Sequence, residues 1–510
     1  MINRHHTNII KSLMLGTAAG IVALTGAQAA DLPVKAKAIE YVKVCTAYGA
    51  GFWYIPGTDT CIRLGGAIRI GTTFNGAAWD VPFFQGGAGG ANAYGRNYFA
   101  TRARVYVNED TRTNTEYGVL RTYANLLMTW TQGNAGIAGG EPVEIDAAFI
   151  QFAGFTMGKA VSEFDPQWAL AKPIIGTSTG GLSGSHNDTG INQLAYTATF
   201  GNGVSGTLSL EDGQPYRAAG LANTSLTGTN ALIGPFGATT LPTGVYGVNN
   251  FQGNAEVGDH VPEIVGNLRL DQAWGSLHLG AAAHELHGTY YTPTDSSTGH
   301  PGATWGYAIT GAFELKNLPT GSADSLKVVA AFANGAAKYI FGGSWDSAGA
   351  GRLAKIGDGG LGFGYVLDGV YGNGTSIQKS DAWQAAAFYE HYWSPEWRTS
   401  VFGSYSHISY GGAGDALLLA AANAGRLSTG FTNATGSFDL ALAEVGTRTA
   451  WSPVKDLTLA AEFTYVRLDQ HLNGTFTTTG TAIPGSAAGT TFQLKDQNLY
   501  QGAVEVRRNF

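Results

Sequence analysis

The chain has 510 residues, with 30 Lys plus Arg against 37 Asp plus Glu, 74 glycines and 11% aromatics. There is no basic surplus of the kind a nucleic-acid surface needs, so no nucleic-acid partner is expected. Only 13% of residues are charged, and no linker or shift of pattern divides the chain into the several soluble domains its length would suggest.

The first 29 residues read as an export signal. Arg4 and Lys11 supply the positive region, Leu13 to Leu24 a short apolar core, and Ala27-Gln28-Ala29 a small-residue cleavage site. That core falls short of the roughly 20 residues a spanning helix needs. No other segment reads as a membrane helix, so membrane residence would require a barrel. Residues 30–60 then form an N-terminal segment expected on the periplasmic side. It holds Cys45, and Cys61 follows at its end. An exported chain enters an oxidising compartment, so these two are expected to form a disulfide.

From there the sequence alternates. Stretches bounded by Gly, Pro, Asn and Asp predict strands near 61–75, 97–108, 115–130, 143–152, 153–161, 191–200, 204–212 and 261–271. A further eight follow near 274–287, 304–316, 325–335, 381–393, 397–410, 437–451, 457–468 and 498–510. Connections alternate long and short. Gly201-Asn202-Gly203, Asp271-Gln272-Ala273 and Ser394-Pro395-Glu396 are tight turns, whereas 162–190, 213–260, 335–380, 411–436 and 469–497 are long. An even strand count with short turns at one end and long loops at the other predicts an all-β fold: a 16-stranded antiparallel transmembrane barrel over 61–510.

Facing follows from parity, because strand side chains alternate. Phe99, Thr101, Ala103, Val105 and Val107 oppose Tyr98, Ala100, Arg102, Arg104 and Tyr106. The last strand sets Val504, Val506 and the terminal Phe510 against Gln501, Glu505 and Arg507. Trp130, Trp274, Trp305, Trp383, Trp393, Trp397 and Trp451 fall near predicted strand ends, as interfacial girdles would. The segment Ala147 to Phe155 breaks the rule, being apolar on both faces. Either its register is misread or this wall packs against protein.

Asp31-Leu-Pro-Val-Lys-Ala-Lys-Ala38, Tyr41 to Cys61 and Ile62-Arg-Leu-Gly-Gly66 closely resemble the start of mature alphaproteobacterial (rhizobial-type) outer-membrane porins. Ala148 to Thr156, Tyr196 to Gly203, Pro262 to Val265 and Ala273 to Ser276 look like interior landmarks of that family. The resemblance implies a passive, water-filled diffusion channel for small hydrophilic solutes and ions, usually a homotrimer, with its third loop folded into the lumen. Outer-membrane lipids, lipopolysaccharide and the assembly machinery would be its partners, the last reading Phe510. No cofactor, metal or catalytic residue is implied. The long loops 335–380 and 469–497 depart from the family pattern.

In such a barrel the chemistry is a field. Parity places Arg63 and Arg69 on one face of the first strand, joined by Arg102, Arg104, Arg121 and Arg507 on contiguous strands. A charge on the lipid face would cost roughly 2–4 kcal/mol at mid-membrane, so inward is the expected direction. The six would form a basic pore-lining wall; the alternative is that some lie at the rims or pair with Glu109, Glu116 or Glu505. The 162–192 loop carries Glu163, Asp165 and Asp188, which would face that wall across a narrow gap and set selectivity. Two other readings remain open: a solute-specific binding channel, and an outer-membrane barrel enzyme using groups such as Ser406, His407 and His471. Gly357 to Gly362 matches G-x-G-x-x-G without a βαβ context, and His284-Glu-Leu-His287 would point its imidazoles to opposite faces of a strand.

Overall fold

The computed structural model describes residues 43–75, 99–131, 141–175, 190–213, 219–225, 255–257, 260–292, 295–341, 352–357, 359–427, 430–477, 487 and 489–510. The segment expected as a signal, 1–29, lies outside them. Among the described residues sixteen strands form the barrel wall. They are β1 (Cys61–Phe74), β2 (Phe99–Thr115), β3 (Gly118–Thr131), β4 (Glu141–Phe152), β5 (Phe155–Ala160), β6 (Ile191–Gly201), β7 (Val204–Glu211) and β8 (Glu263–Gln272). The second half comprises β9 (Gly275–Leu286), β10 (Thr304–Leu318), β11 (Gly321–Asn334), β12 (Asp381–Tyr392), β13 (Trp397–Ser409), β14 (Phe431–Val454), β15 (Leu457–Thr477) and β16 (Gln497–Asn509). Each pairs antiparallel with its neighbours in chain order, and β16 returns to β1 through Ala67↔Asn509 to Phe74↔Gly502, closing the sheet. Closure leaves the wall without an edge strand.

Why the wall forms is visible in its two faces. On β1, Ile68 and Ile70 point outward and stay exposed while Ala67, Arg69, Gly71 and Thr73 are buried inward. Turns at one end suit hairpins: Asn202 and Gly203 both take positive φ, 51° and 76°, the twist-matched geometry of a two-residue connection. Trp274, Trp393, Trp397 and Trp451 mark that short-turn rim, and Trp130, Trp305 and Trp383 mark the long-loop rim, all partly exposed. This is the placement interfacial girdles require. At the seam, Phe510 and Gly66 exchange both backbone hydrogen bonds at 3.0 Å. Any side chain at Gly66 would lie 2.2 Å from Tyr106 O, so only glycine fits there.

Three boundaries differ from the sequence reading. The second strand continues past 108 to Thr115, because Asp110, Arg112 and Arg121 satisfy one another on its inner face. Strands β14 and β15 extend well beyond 437–451 and 457–468; the turn-like Asn433 and Gly436 (φ 53° and 91°) fall at bulges instead of ending the pair. The register shifts between β3 and β4, at Asn125/Leu126 and Leu127/Thr129, fall just before the doubly apolar stretch 147–155, whose own strand pairing is regular up to Phe152. Phe149 faces inward on the same side as Gln151 and stacks on Tyr123, with centroids 5.3 Å apart.

At the short-turn rim the N-terminal segment pairs with β1 through Trp53↔Ile62 and Tyr54↔Cys61. The Cys45–Cys61 disulfide fastens it, with Cα atoms 6.0 Å apart and both cysteines buried beside Phe52. At the opposite end the long loops fold over one another into an apolar core that includes Phe363, Tyr365, Leu418, Leu440 and Phe476.

Candidate functional site: a charged lumen

After β5 the chain turns into the barrel and follows the inner wall. Its root is held by Glu211 of β7, which accepts from Ser162 Oγ at 2.7 Å and Glu163 N at 2.9 Å. Next, Asn267 of β8 donates to Glu163 O at 2.8 Å, and His278 of β9 donates to Phe164 O at 2.9 Å. Trp168 then inserts among Ala312, Val329, Ala386, Phe388 and Phe402 of β10 to β13. Further on, Ser400 of β13 donates to Pro173 O at 2.6 Å. Ile175 packs on Ala450, Ala460 and Ala503 of β14 to β16. Last, Arg69 donates to Ile175 O at 2.6 Å. The described part of this loop, 161–175, therefore lines the wall from β7 round to β1. It leaves a cavity of about 670 Å³ against β1 to β4 and β16, which Leu170 of the loop faces.

That remaining wall carries arginines. Arg507, Arg69 and Arg104 are consecutive cross-strand partners on β16, β1 and β2. Arg69 is buried and paired with Glu505, while Arg104 donates to Thr129 Oγ1 at 2.9 Å and to Tyr106 OH at 3.3 Å. The guanidinium of Arg507 lies 5.6 Å from the Tyr106 ring centre and donates to Asn509 Oδ1 at 2.9 Å. One level nearer the short-turn rim, buried Asp110 accepts two hydrogen bonds each from Arg112 and Arg121, at 2.9–3.1 Å, and Arg63 approaches to 3.7 Å. Arg121 also donates to Gln151 Oε1 at 3.0 Å. Arg102 is buried opposite Gly71, whose lack of a side chain leaves it room. Doubly hydrogen-bonded arginine–carboxylate pairs are rigid, which holds these charges in place.

The loop acids are placed differently from the sequence expectation. Glu163 accepts from Asn267 Nδ2 at 2.8 Å on the β8 wall, and burial pushes its carboxyl up despite that bond and nearby Arg269. Asp165 is buried, with Lys172 and His278 as its charge neighbours. Glu163 thus sits at β8 and Asp165 near His278 of β9, and Asp188 lies outside the described residues. The carboxylates among the arginines are strand-borne instead: Asp110, Asp146 and Glu505. Sequence reasoning missed Arg112 because its strand was ended too early, and Asp146 because the bulges turn it inward, where Asn125 donates to it at 2.6 Å. Glu505 shares a face with Arg507 by parity, a signal that was present. Elsewhere, the glycine motif at 357–362 is a hairpin between Arg352–Gly357 and Gly360–Tyr365. His407 lies beside Trp383, with ring centroids 6.4 Å apart.

A closed antiparallel barrel, aromatic-rimmed and apolar outside with ordered charge within, defines a multi-pass β-barrel protein of the bacterial outer membrane. The comparison with known families carries this further: the chain belongs to the family described as Porin subfamily, whose pattern matches residues 31–503. Porin Omp2b of Brucella suis biovar 1 (strain 1330) and Porin Omp2b of Brucella melitensis biotype 1 are each 33% identical to it over 284 residues. That match covers 54% of this chain and 66% of each relative, just under two thirds of their length. Among solved structures, the outer membrane channel DcaP of Acinetobacter baumannii has a similar fold, with a TM-score of 0.55 at 12% identity. It covers 90% of this chain and 99% of that one.

Proposed function

We propose that this barrel is a passive, water-filled channel through which small hydrophilic solutes and ions cross the outer membrane, and that its selectivity is set by the arginine strip. The observation that carries the reading is the gap between the docked 161–175 loop and the β1–β4 wall, lined by Arg63, Arg69, Arg104 and Arg507. Around it seven arginines (63, 69, 102, 104, 112, 121 and 507) stand against strand acids that include Asp110, Glu144, Asp146 and Glu505, an excess that concentrates anions in a low-dielectric constriction.

The channel works as a homotrimer in this reading. Strand β5 has six residues, fewer than the nine to eleven a spanning strand needs. Phe155, Met157, Leu194 and Tyr196 leave its outer surface apolar and exposed, as a wall covered by another copy would be. Lipids and lipopolysaccharide surround the rest, and the exposed Phe510 offers the assembly machinery a terminal aromatic.

Recording purified protein in a planar bilayer under a salt gradient tests this. Discrete ohmic steps with an anion-side reversal potential are expected. A folded protein that never conducts would reject the channel, and a cation-side potential would reject the role of the arginines.

A further inference from the structure

The described residues 335–341 and 359–380 of the long loop after β11 enter the barrel mouth instead of standing above it. Its helical turn Lys338–Phe341 is buried at all four positions, and residues 360–371 are buried without interruption. Leu361, Phe363 and Val370 share one apolar core with the inward-facing Ala333, Ile408 and Val466 of β11, β13 and β15. Contact with β14 is tight: a Cβ on Gly364 would lie 2.0 Å from Leu440 Cδ2. Parallel pairings join this loop to two others, Gly369–Tyr371 to Leu221–Asn223 and Gly360–Leu361 to Gln493–Leu494.

At β8 and β9, by contrast, its attachment to the wall is ionic. Lys338 Nζ pairs with Glu263 at the top of β8, and Tyr339 OH donates to the other carboxylate oxygen. His284 of β9 joins Glu263 through Nδ1 at 3.1 Å and faces Asp368 of the loop at 3.6 Å and Glu256 at 3.7 Å through Nε2. Asp368 in turn accepts from Ala337 N. These side chains are at most 4% exposed. Burying ions is costly unless every partner is in place, and removing one leaves an uncompensated charge that water would solvate better. Such a cluster fixes one docked position and penalises any loosened one that keeps the charges dry. Loss of one partner therefore shifts the balance from the docked position towards an undocked one, in which the remaining charges are in water.

We propose that the described parts of this loop, 335–341 and 359–380, form a displaceable plug in the outer mouth, and that Lys338 and Asp368 lock it onto Glu263 and His284. The inference rests on the channel reading above and adds a second, wider conducting state to it. The arginine strip sits on the far side of the lumen and remains in both states.

The test uses the full chain in planar bilayers. Lys338→Met and, separately, Asp368→Asn break the lock from the plug side. Each is expected to add a conductance level at least about twofold above the wild-type level, because the mouth widens. Gly364→Cys with Leu440→Cys provides a tether: an ideal Cβ at 364 lies 3.4 Å from Leu440 Cβ, close to disulfide spacing. Oxidising the tether in the lock variants should abolish the wide level, and reduction should restore it, with wild type in the same reductant as control. Lock variants that conduct like wild type, or a tether without effect on them, would overturn the plug. If the lock variants fail to assemble, the tether in the wild-type background decides. Transient wide openings lost on oxidation support the plug, and identical records reject it. A wild-type protein that does not conduct at all would instead reject the underlying channel.

Discussion

Across the seam that closes the barrel, Arg69 of β1 faces Arg507 of β16 as a direct antiparallel partner, and on its other side Arg69 faces Arg104 of β2. Like charges placed opposite one another destabilise a sheet. Here each has an outlet: Glu505 for Arg69, Thr129 for Arg104, Asn509 and the Tyr106 face for Arg507. A wall that keeps three cations in a row and disperses their repulsion onto neighbours is arranged to present positive charge to the lumen.

Neutralising Arg104 and Arg507 together to Gln should move selectivity towards cations. A unit charge about 4 Å from a permeating ion is worth roughly 1 kcal/mol in water-like surroundings. Anion permeability should therefore fall, and cation permeability rise, by up to about fivefold each per charge. Arg69 is left intact because it also holds Ile175. Unchanged reversal potentials would count against the strip.

Lys172 makes the lumen sensitive to alkali. Burial lowers its ammonium from 10.5 to about 8, although Asp165 and Glu444 pull the other way. The charge is present below about pH 8 and lost above it, so anion preference should step down as pH rises through that value. The unfolded chain holds this proton up to the ordinary lysine range. Folding stability from this group therefore rises with pH between about 8 and 10.5. Reversal potentials measured across that range in wild type and Lys172→Met check it, and an identical step in both would exclude Lys172.

Asp110→Asn removes the counter-ion shared by Arg112, Arg121 and Arg63. Breaking a buried pair from one side costs about 3 kcal/mol. The variant should lose its heat-resistant mobility in detergent gels at a lower temperature, while its current becomes more anion-selective. A protein as heat-resistant as wild type would show that the arginines find other partners.

Trp168→Ala empties the pocket formed by Phe388, Phe402 and their neighbours. Large aromatic deletions cost about 3–5 kcal/mol, and here the loss should fall on loop docking, since the barrel wall remains paired. Single-channel currents should become larger and noisier. Quiet currents of wild-type size would mean that the remaining anchors suffice.

Replacing Cys45 and Cys61 with Ser removes a cross-link worth roughly 3 kcal/mol to the segment it closes. Hydrogen exchange should accelerate over 43–60, including the strip paired with β1, while the far wall stays protected. Equal protection in both proteins would assign the lip's order to Phe52 and its contacts with Arg63 and Arg112.

What the sequence determined by itself was the wall. Alternation, two-residue turns and rim tryptophans are local signals, and closure follows from an even run of hairpins with no edge left to cover. The expectation of inward arginines rests on the same local signal, since parity within a strand is settled by its own residues. Parity failed where a bulge shifts it, as at Asp146, because a bulge arises from the pairing of two strands and is not written in either alone. The contents of the lumen were decided only by the tertiary structure. Glu163 and Asp165 lie against β8 and β9, and Lys338 finds Glu263 across 75 positions of chain. These partners are set by how far each loop reaches around a closed wall, a distance that exists only once the sheet has met itself.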